Sequence, residues 1–134
     1  MSSIGPRDGA KRPQICLGDL NGASTGPQYR ELVAGVFRAS GLEVELNSPF
    51  PGNELLRRHA APADGIHGVQ VEVRRDLYLD ERTRVLHEGL GVIQDCIGRV
   101  AAALRAADGT GEIWARHIRE GLSRLAETTI ERFD

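Results

Sequence analysis

A single lysine, Lys11, is all that these 134 residues contain, so nearly every positive charge is an arginine. Seventeen Lys plus Arg stand against nineteen Asp plus Glu, a formal charge of -2, which supplies no electrostatic footprint for nucleic acid or an anionic membrane. No apolar run approaches the ~18 residues needed to span a bilayer, and the opening MSSIGPRDGAKRPQ lacks the hydrophobic centre of a secretory signal; the expected location is the cytoplasm. Cysteine is scarce as well. Cys16 and Cys96 lie far apart with no Cys-x-x-Cys pair, which argues against a disulfide framework or a thiolate zinc knuckle, and their apolar neighbours make them core thiols. A nucleophile elbow, a P-loop, a Gly-x-Gly-x-x-Gly turn and internal repeats are all missing, which lowers the serine-hydrolase, nucleotide and dinucleotide readings.

What is present suits one domain: the length and a 40% hydrophobic content are enough for a modest single core. Residues 1–13, rich in Gly, Pro, Ser and charge, read as a loop or disordered lead-in. Ile15, Cys16 and Leu17, closed by Gly18, fit a buried strand, and NGASTG after them is a turn. Tyr29, Leu32, Val33, Val36 and Phe37 recur at helical spacing, with Pro27 suited to the first turn and Gly41 to a left-handed C-terminal cap. Leu42, Val44 and Leu46 alternate with Glu43 and Glu45, a second strand with one wet face.

The stretch NSPFPGNELLRRHAAPADG is punctuated by prolines and glycines and reads as a long loop, a kind of segment that often carries function. It leads into GIHGVQVEVRRDLYLDE, where strand alternation puts His67, Val69, Val71 and Val73 on one face, the expected core side, and Gln70, Glu72 and Arg74 on the other. After Asp80, a candidate N-cap, Leu86, Leu90, Ile93, Ile97, Val100 and Leu104 form the stripe of a long amphipathic helix that ADGTG breaks. A last helix over 111–130 carries Trp114, Ile118, Leu122 and Leu125 along one side. This order is α/β, and strands separated by a helix are expected to pair in parallel. Three strands and three helices make a thin domain, because a parallel sheet normally needs both faces covered.

Glu72 is the first candidate for general acid/base chemistry, since a carboxylate between valines is costly to bury without a partner or a task; a half-exposed, salt-bridged strand residue is the alternative. Arg57, Arg58 and His59 form a compact cationic group that could clamp a carboxylate or simply be solvated. His117 and Glu120 lie one helical turn apart, but no third ligand is signalled nearby, so a solvated pair is the better reading, as it is for His87 beside Glu88. His67 and Glu72, five apart, fall on opposite faces of a regular strand and should not share one metal.

Gly65-Ile66-His67, Gln70, Glu72, Arg75, Leu77-Tyr78 and Asp80-Glu81 resemble the signature Gly-Val-His-Ala-Leu-Gln-Ile-Glu-Ile-Asn-Arg-x-Leu-Tyr-Met-Asp-Glu of the N-formylglutamate amidohydrolases. Ile15-Cys16-Leu17-Gly18-Asp19, the Ser24 turn, Gly41, and Asn47-Ser48-Pro49-Phe50 with Gly52 follow the same family's order, so the resemblance covers roughly residues 1–104, with an α/β domain expected over 14–106. It implies a partial zinc-carboxypeptidase-like sandwich with a mostly parallel sheet and flanking helices, and zinc-dependent hydrolysis of a small N-acyl amino acid, N-formyl-L-glutamate to formate and glutamate in histidine degradation. It further implies Glu72 as general base, and Arg57, His67 and Arg75 as substrate-binding residues.

Departures from the pattern fall on recognition: Gly52-Asn53-Glu54 replaces Gly-Gly-Tyr, Arg57-Arg58-His59-Ala60 replaces Arg-His-Tyr-Gly, and Arg74-Arg75 replaces Asn-Arg. Met1-Ser2-Ser3 corresponds to the Met of the family's His-Ser-Met-Pro-Ser segment, so the resemblance places the zinc histidines upstream and no metal ligand in this chain. The chain alone is therefore expected to be impaired or inactive. The competing class is a non-catalytic binding module that pairs with a second copy or a complementing chain through the Trp114 helix and an uncovered sheet edge.

Overall fold

The computed structural model describes residues 1–108; the expected helix over 111–130, with Trp114, His117 and Glu120, lies outside them. The apolar run Ile15–Gly18 is strand β1, buried along its whole length, and it forms the middle of a three-stranded sheet in the order β2-β1-β3. Helix α1, Pro27–Ala39, starts on the expected proline and gives way to Gly41 at φ 80°, a left-handed position that glycine takes without steric cost. It returns the chain to β2, Val44–Leu46, which pairs in parallel with β1, Ile15 opposite Val44 and Leu17 opposite Leu46. Glu43 and Glu45 are exposed, as the alternation requires.

The third strand corrects the expectation of a mostly parallel sheet. β3, Gln70–Val73, runs antiparallel to β1, Ile15 opposite Val73 and Cys16 opposite Glu72, so the sheet is mixed. The cause lies in the connection after β2. Asn47 N–H donates to Leu17 O, Leu20 N–H to Pro51 O and Gly68 N–H to Ser24 O, which keep the segment along the carboxyl edge of β1. β3 therefore enters from the edge where β2 ended and runs back. Gly18 permits this close crossing: a Cβ there would lie 2.7 Å from Phe50 O and 2.8 Å from Gly52 N, both backbone atoms.

Two further expectations change. The presumed loop holds a short helix, α2, Glu54–His59, whose free N–H groups at Leu55 and Leu56 are satisfied by the Asn53 side chain, a local N-cap in a proline-rich context. The long helix α3, Gly89–Asp108, begins nine residues after Asp80 rather than next to it. Asp80 instead accepts from Arg82 and Thr83 N–H, a side-chain turn that competes with helix formation, and a Leu79–Leu86 bridge closes the excursion. Leu86 consequently leaves the apolar stripe and is exposed.

The core lies on one side of the sheet, where Ile15 and Leu17 meet Val33, Ala34 and Phe37 of α1 and Cys96 and Val100 of α3. Val69 and Val73 pack against it, but Val71, expected in the core, keeps 38% of its surface exposed because α1 and α3 do not extend over the middle of β3. The other side carries Cys16, Glu45 and Glu72, alternate to those core residues along their strands. Phe37→Ala should cost about 3–5 kcal/mol in urea unfolding, whereas Val71→Ala should cost about 1 kcal/mol or less.

Candidate functional site

β3 delivers Glu72 to the side of the sheet opposite the core, directly across from Cys16, and its side chain is 32% exposed. Gln70, two residues earlier and so on the same face, donates from Nε2 to Glu72 Oε1 at 2.8 Å. Residues 1–13 contain no helix or extended strand, yet their start is tied to this strand. The Met1 amine donates to Val73 O at 2.7 Å, Arg75 N–H donates to Met1 O, and the ammonium lies 3.7 Å from Glu72 Oε2. The 3₁₀ turn Arg75–Leu77 then folds Arg75 back, its Nε 3.5 Å from Glu81 Oε1, while Ser3 binds Glu81 through both its amide and its hydroxyl.

The electrostatics of this cluster follow from partial burial beside opposite charges. Burial lowers the basicity of the Met1 amine, and Glu72 partly offsets that. The Ser3 hydroxyl holds the Glu81 carboxyl below its ordinary range, with Arg75 acting in the same direction. Burial raises the Tyr78 phenol, with Arg75 opposing and Glu72 and Glu81 adding to the shift. The Cys16 thiol is pushed up by burial too, which leaves it a neutral buried thiol on the side of the sheet opposite the core instead of a nucleophile. Among the described residues, Gln70 Oε1 and Arg75 Nε are buried atoms with no hydrogen-bond partner, so this face retains one acceptor and one donor without partners.

His67 sits elsewhere, at the carboxyl edge of β1. Its Nδ1 accepts from Gly26 N–H at 3.0 Å, and its ring lies 4.5 Å from that of Tyr29. In the segment leading into β3 it lines, with Val69 and Val71, an apolar cleft of about 590 Å³ that opens between α1, α2 and α3. Glu72 is five residues further on and on the other face, up to roughly 16 Å away at strand rise. Arg57 is on neither cluster. It projects from α2 with 59% of its side chain exposed and Glu54 at 3.8 Å. The structure thus places Glu72 and Arg75 in one cluster around Met1 and leaves His67 and Arg57 apart.

A buried ionic group at the same carboxyl edge escaped the sequence reading. Asp19 is fully buried; Oδ1 accepts from Gly22 N–H at 2.8 Å and Asn47 Nδ2 at 2.7 Å, and Oδ2 accepts from Arg30 Nη1 at 3.0 Å. Asn47 Oδ1 in turn accepts from the N–H groups of Asp19 and Asn21. The available signal was positional: Asp19 and Asn47 directly follow two strands that pair in parallel, so both emerge at one edge.

The family model for N-formylglutamate amidohydrolase matches residues 1–79. This chain belongs to the N-formylglutamate amidohydrolase family. It is 39% identical over 72 residues to an N-formylglutamate deformylase of Pseudomonas putida, covering 53% of this chain and 27% of that protein. The crystal structure of N-formylglutamate amidohydrolase from Ralstonia eutropha JMP134 superposes with a TM-score of 0.67 at 28% identity, covering 90% of this chain and 41% of that one. The chain thus spans well under half the length of these two relatives, and the residues the family model matches include the strand bearing Glu72.

Burial disfavours ionised Asp19, but the hydrogen bonds from Asn47, Gly22 and Arg30 outweigh it and hold the carboxyl below its ordinary range. A carboxylate with a depressed folded-state pKa contributes stability that is fully present above the unfolded value, near pH 4, and is lost as pH falls from there through the lower folded-state value. Urea titrations from about pH 6 down to about pH 3 should therefore show the stability gap between wild type and Asp19→Asn narrowing.

Proposed function

We propose that this chain supplies the general-base strand of a hydrolase acting on a small N-acyl amino acid, with N-formyl-L-glutamate, cleaved to formate and glutamate, as the substrate class. The observation that carries the reading is the placement of Glu72 on the open face of β3, with Arg75 in the turn that follows and in the same cluster around Met1, within the region the family model matches. Glu72 would take a proton from the attacking water and return it to the leaving amine as the C–N bond breaks. Arg75, whose side chain is 40% exposed beside Glu81, would receive the substrate carboxylate.

Zinc, which the family resemblance implies, does not fit the residues present. No group of three His, Cys, Asp or Glu side chains placed to hold a metal occurs among the described residues. Glu72 faces Cys16, whose thiol is kept protonated by burial, and its other neighbours are an ammonium and an amide with a guanidinium in the same cluster, a set with too few ligating groups for a dication. No step is therefore assigned to zinc on residues 1–108, and its ligands in this reading come from other polypeptide.

A second reading, a binding module, is favoured by the exposed Val71 and the apolar cleft beside it. A polypeptide partner is the occupant this reading expects for such an apolar surface; among the described residues no helix is long and apolar enough to cross a membrane. Formate release from N-formyl-L-glutamate separates the two. The purified chain with added zinc should release little or none; co-expression with the remaining portion of an N-formylglutamate amidohydrolase should restore release, and Glu72→Gln should then lower it by roughly 10²-fold or more. Restored release that Glu72→Gln leaves intact would remove Glu72 from the chemistry.

A further inference from the structure

The buried carboxylate of Asp19 lies under a turn that ends on His67, and each link between them is a hydrogen bond. Leu20, Asn21 and Gly22 all adopt positive φ, at 55°, 56° and 90°. For Leu20 that conformation is unfavourable and persists only where surroundings impose it, whereas Asn21 tolerates it more readily. Here Asp19 Oδ1 takes the Gly22 amide, Asn47 Oδ1 takes the amides of Asp19 and Asn21, and Ser24 N–H returns to Asp19 O at 2.9 Å. Ser24, itself fully buried, is then zipped to the segment before β3, its hydroxyl donating to Gly68 O at 2.8 Å and its carbonyl accepting from Gly68 N–H at 2.8 Å. Two residues on, the Gly26 amide meets His67 Nδ1.

An amide can only donate, so Nδ1 must be the bare, accepting nitrogen, and the single proton of a neutral imidazole is left on Nε2. We propose that Asp19 is a positioning residue for His67: through the β1–α1 turn it sets the Gly26 amide on Nδ1 and so makes Nε2–H the donor that His67 offers to a ligand oxygen. Thr25, 2% exposed, and Tyr29 line the cleft alongside the imidazole and restrict how the ring can turn. A carbonyl or carboxylate oxygen is the chemistry such a donor receives. His67 lies on the opposite face from Glu72, so neither this donor nor its tautomer rests on the hydrolase reading above.

The test is a long-range ¹H–¹⁵N correlation spectrum of the histidine rings in the full 134-residue chain at about pH 8, where an ordinary imidazole is neutral, with His67→Gln identifying the resonance. Wild type should show His67 as the Nε2–H tautomer alone. Asp19→Asn should lose that single state and show both tautomers; if this variant does not fold, Arg30→Gln, which leaves two of the three carboxylate donors in place, should show a detectable Nδ1–H fraction. An Nδ1–H tautomer in wild type overturns the proposal, as does a folded variant whose His67 stays wholly Nε2–H. The spectrum needs no substrate, so failure here leaves the hydrolase reading standing, and absent formate release leaves the tautomer standing.

Discussion

Everything on the open face of this sheet depends on the register of one antiparallel ladder, in which Cys16 stands opposite Glu72 and Ile15 opposite Val73. Side chains alternate strictly along a strand, so a slip of one residue would turn Glu72 into the apolar core and bring Val71 or Val73 out to the charges. Apolar burial prevents that slip. Ile15 and Leu17 are fully buried against Phe37 and Val33, and Val73 shares their side of the sheet. The packing of α1 and α3 on one face thereby decides which carboxylate reaches the other, although none of the core residues touches it.

Two polar clusters result, and they differ in character. Around Glu72 the charges are partly exposed and their partners are loosely held: the Met1 ammonium at 3.7 Å, Arg75 and Glu81 at 3.5 Å, and buried atoms of Gln70 and Arg75 without partners. Around Asp19 every contact is short and the carboxylate is fully enclosed. A partly satisfied cluster can still accept a ligand, whereas a satisfied one fixes geometry. That contrast makes the Glu72 face the candidate for chemistry and the Asp19 group its structural counterpart at the far edge.

Much of this was legible in sequence where periodicity decides the outcome. The run Ile15-Cys16-Leu17, the stripe through Val33 and Phe37, and the alternation of Glu43 and Glu45 specify β1, α1 and β2 by local spacing. Strand direction is not local, so the antiparallel entry of β3 depended on backbone bonds from Asn47, Leu20 and Gly68 that no spacing encodes. Asp80 misled because the same side chain serves a turn as readily as a helix cap. Asn53 hid in plain view among prolines, and Asp19 and Asn47 acquire meaning only once their strands are known to be parallel neighbours. The placement of Glu72 opposite the core followed from alternation, while its closeness to Met1 did not.

The register itself admits a direct test through the native thiol of Cys16. In hydrogen-bonded antiparallel pairs the Cα atoms lie about 5.5 Å apart, within the range a disulfide spans, whereas a neighbour one residue along points to the opposite face. Glu72→Cys should therefore cross-link to Cys16 on mild oxidation, mapped by mass spectrometry, and Val71→Cys should not. A link from position 71, or none from position 72 in a folded chain, would contradict the placement of Glu72 on which the functional account is built.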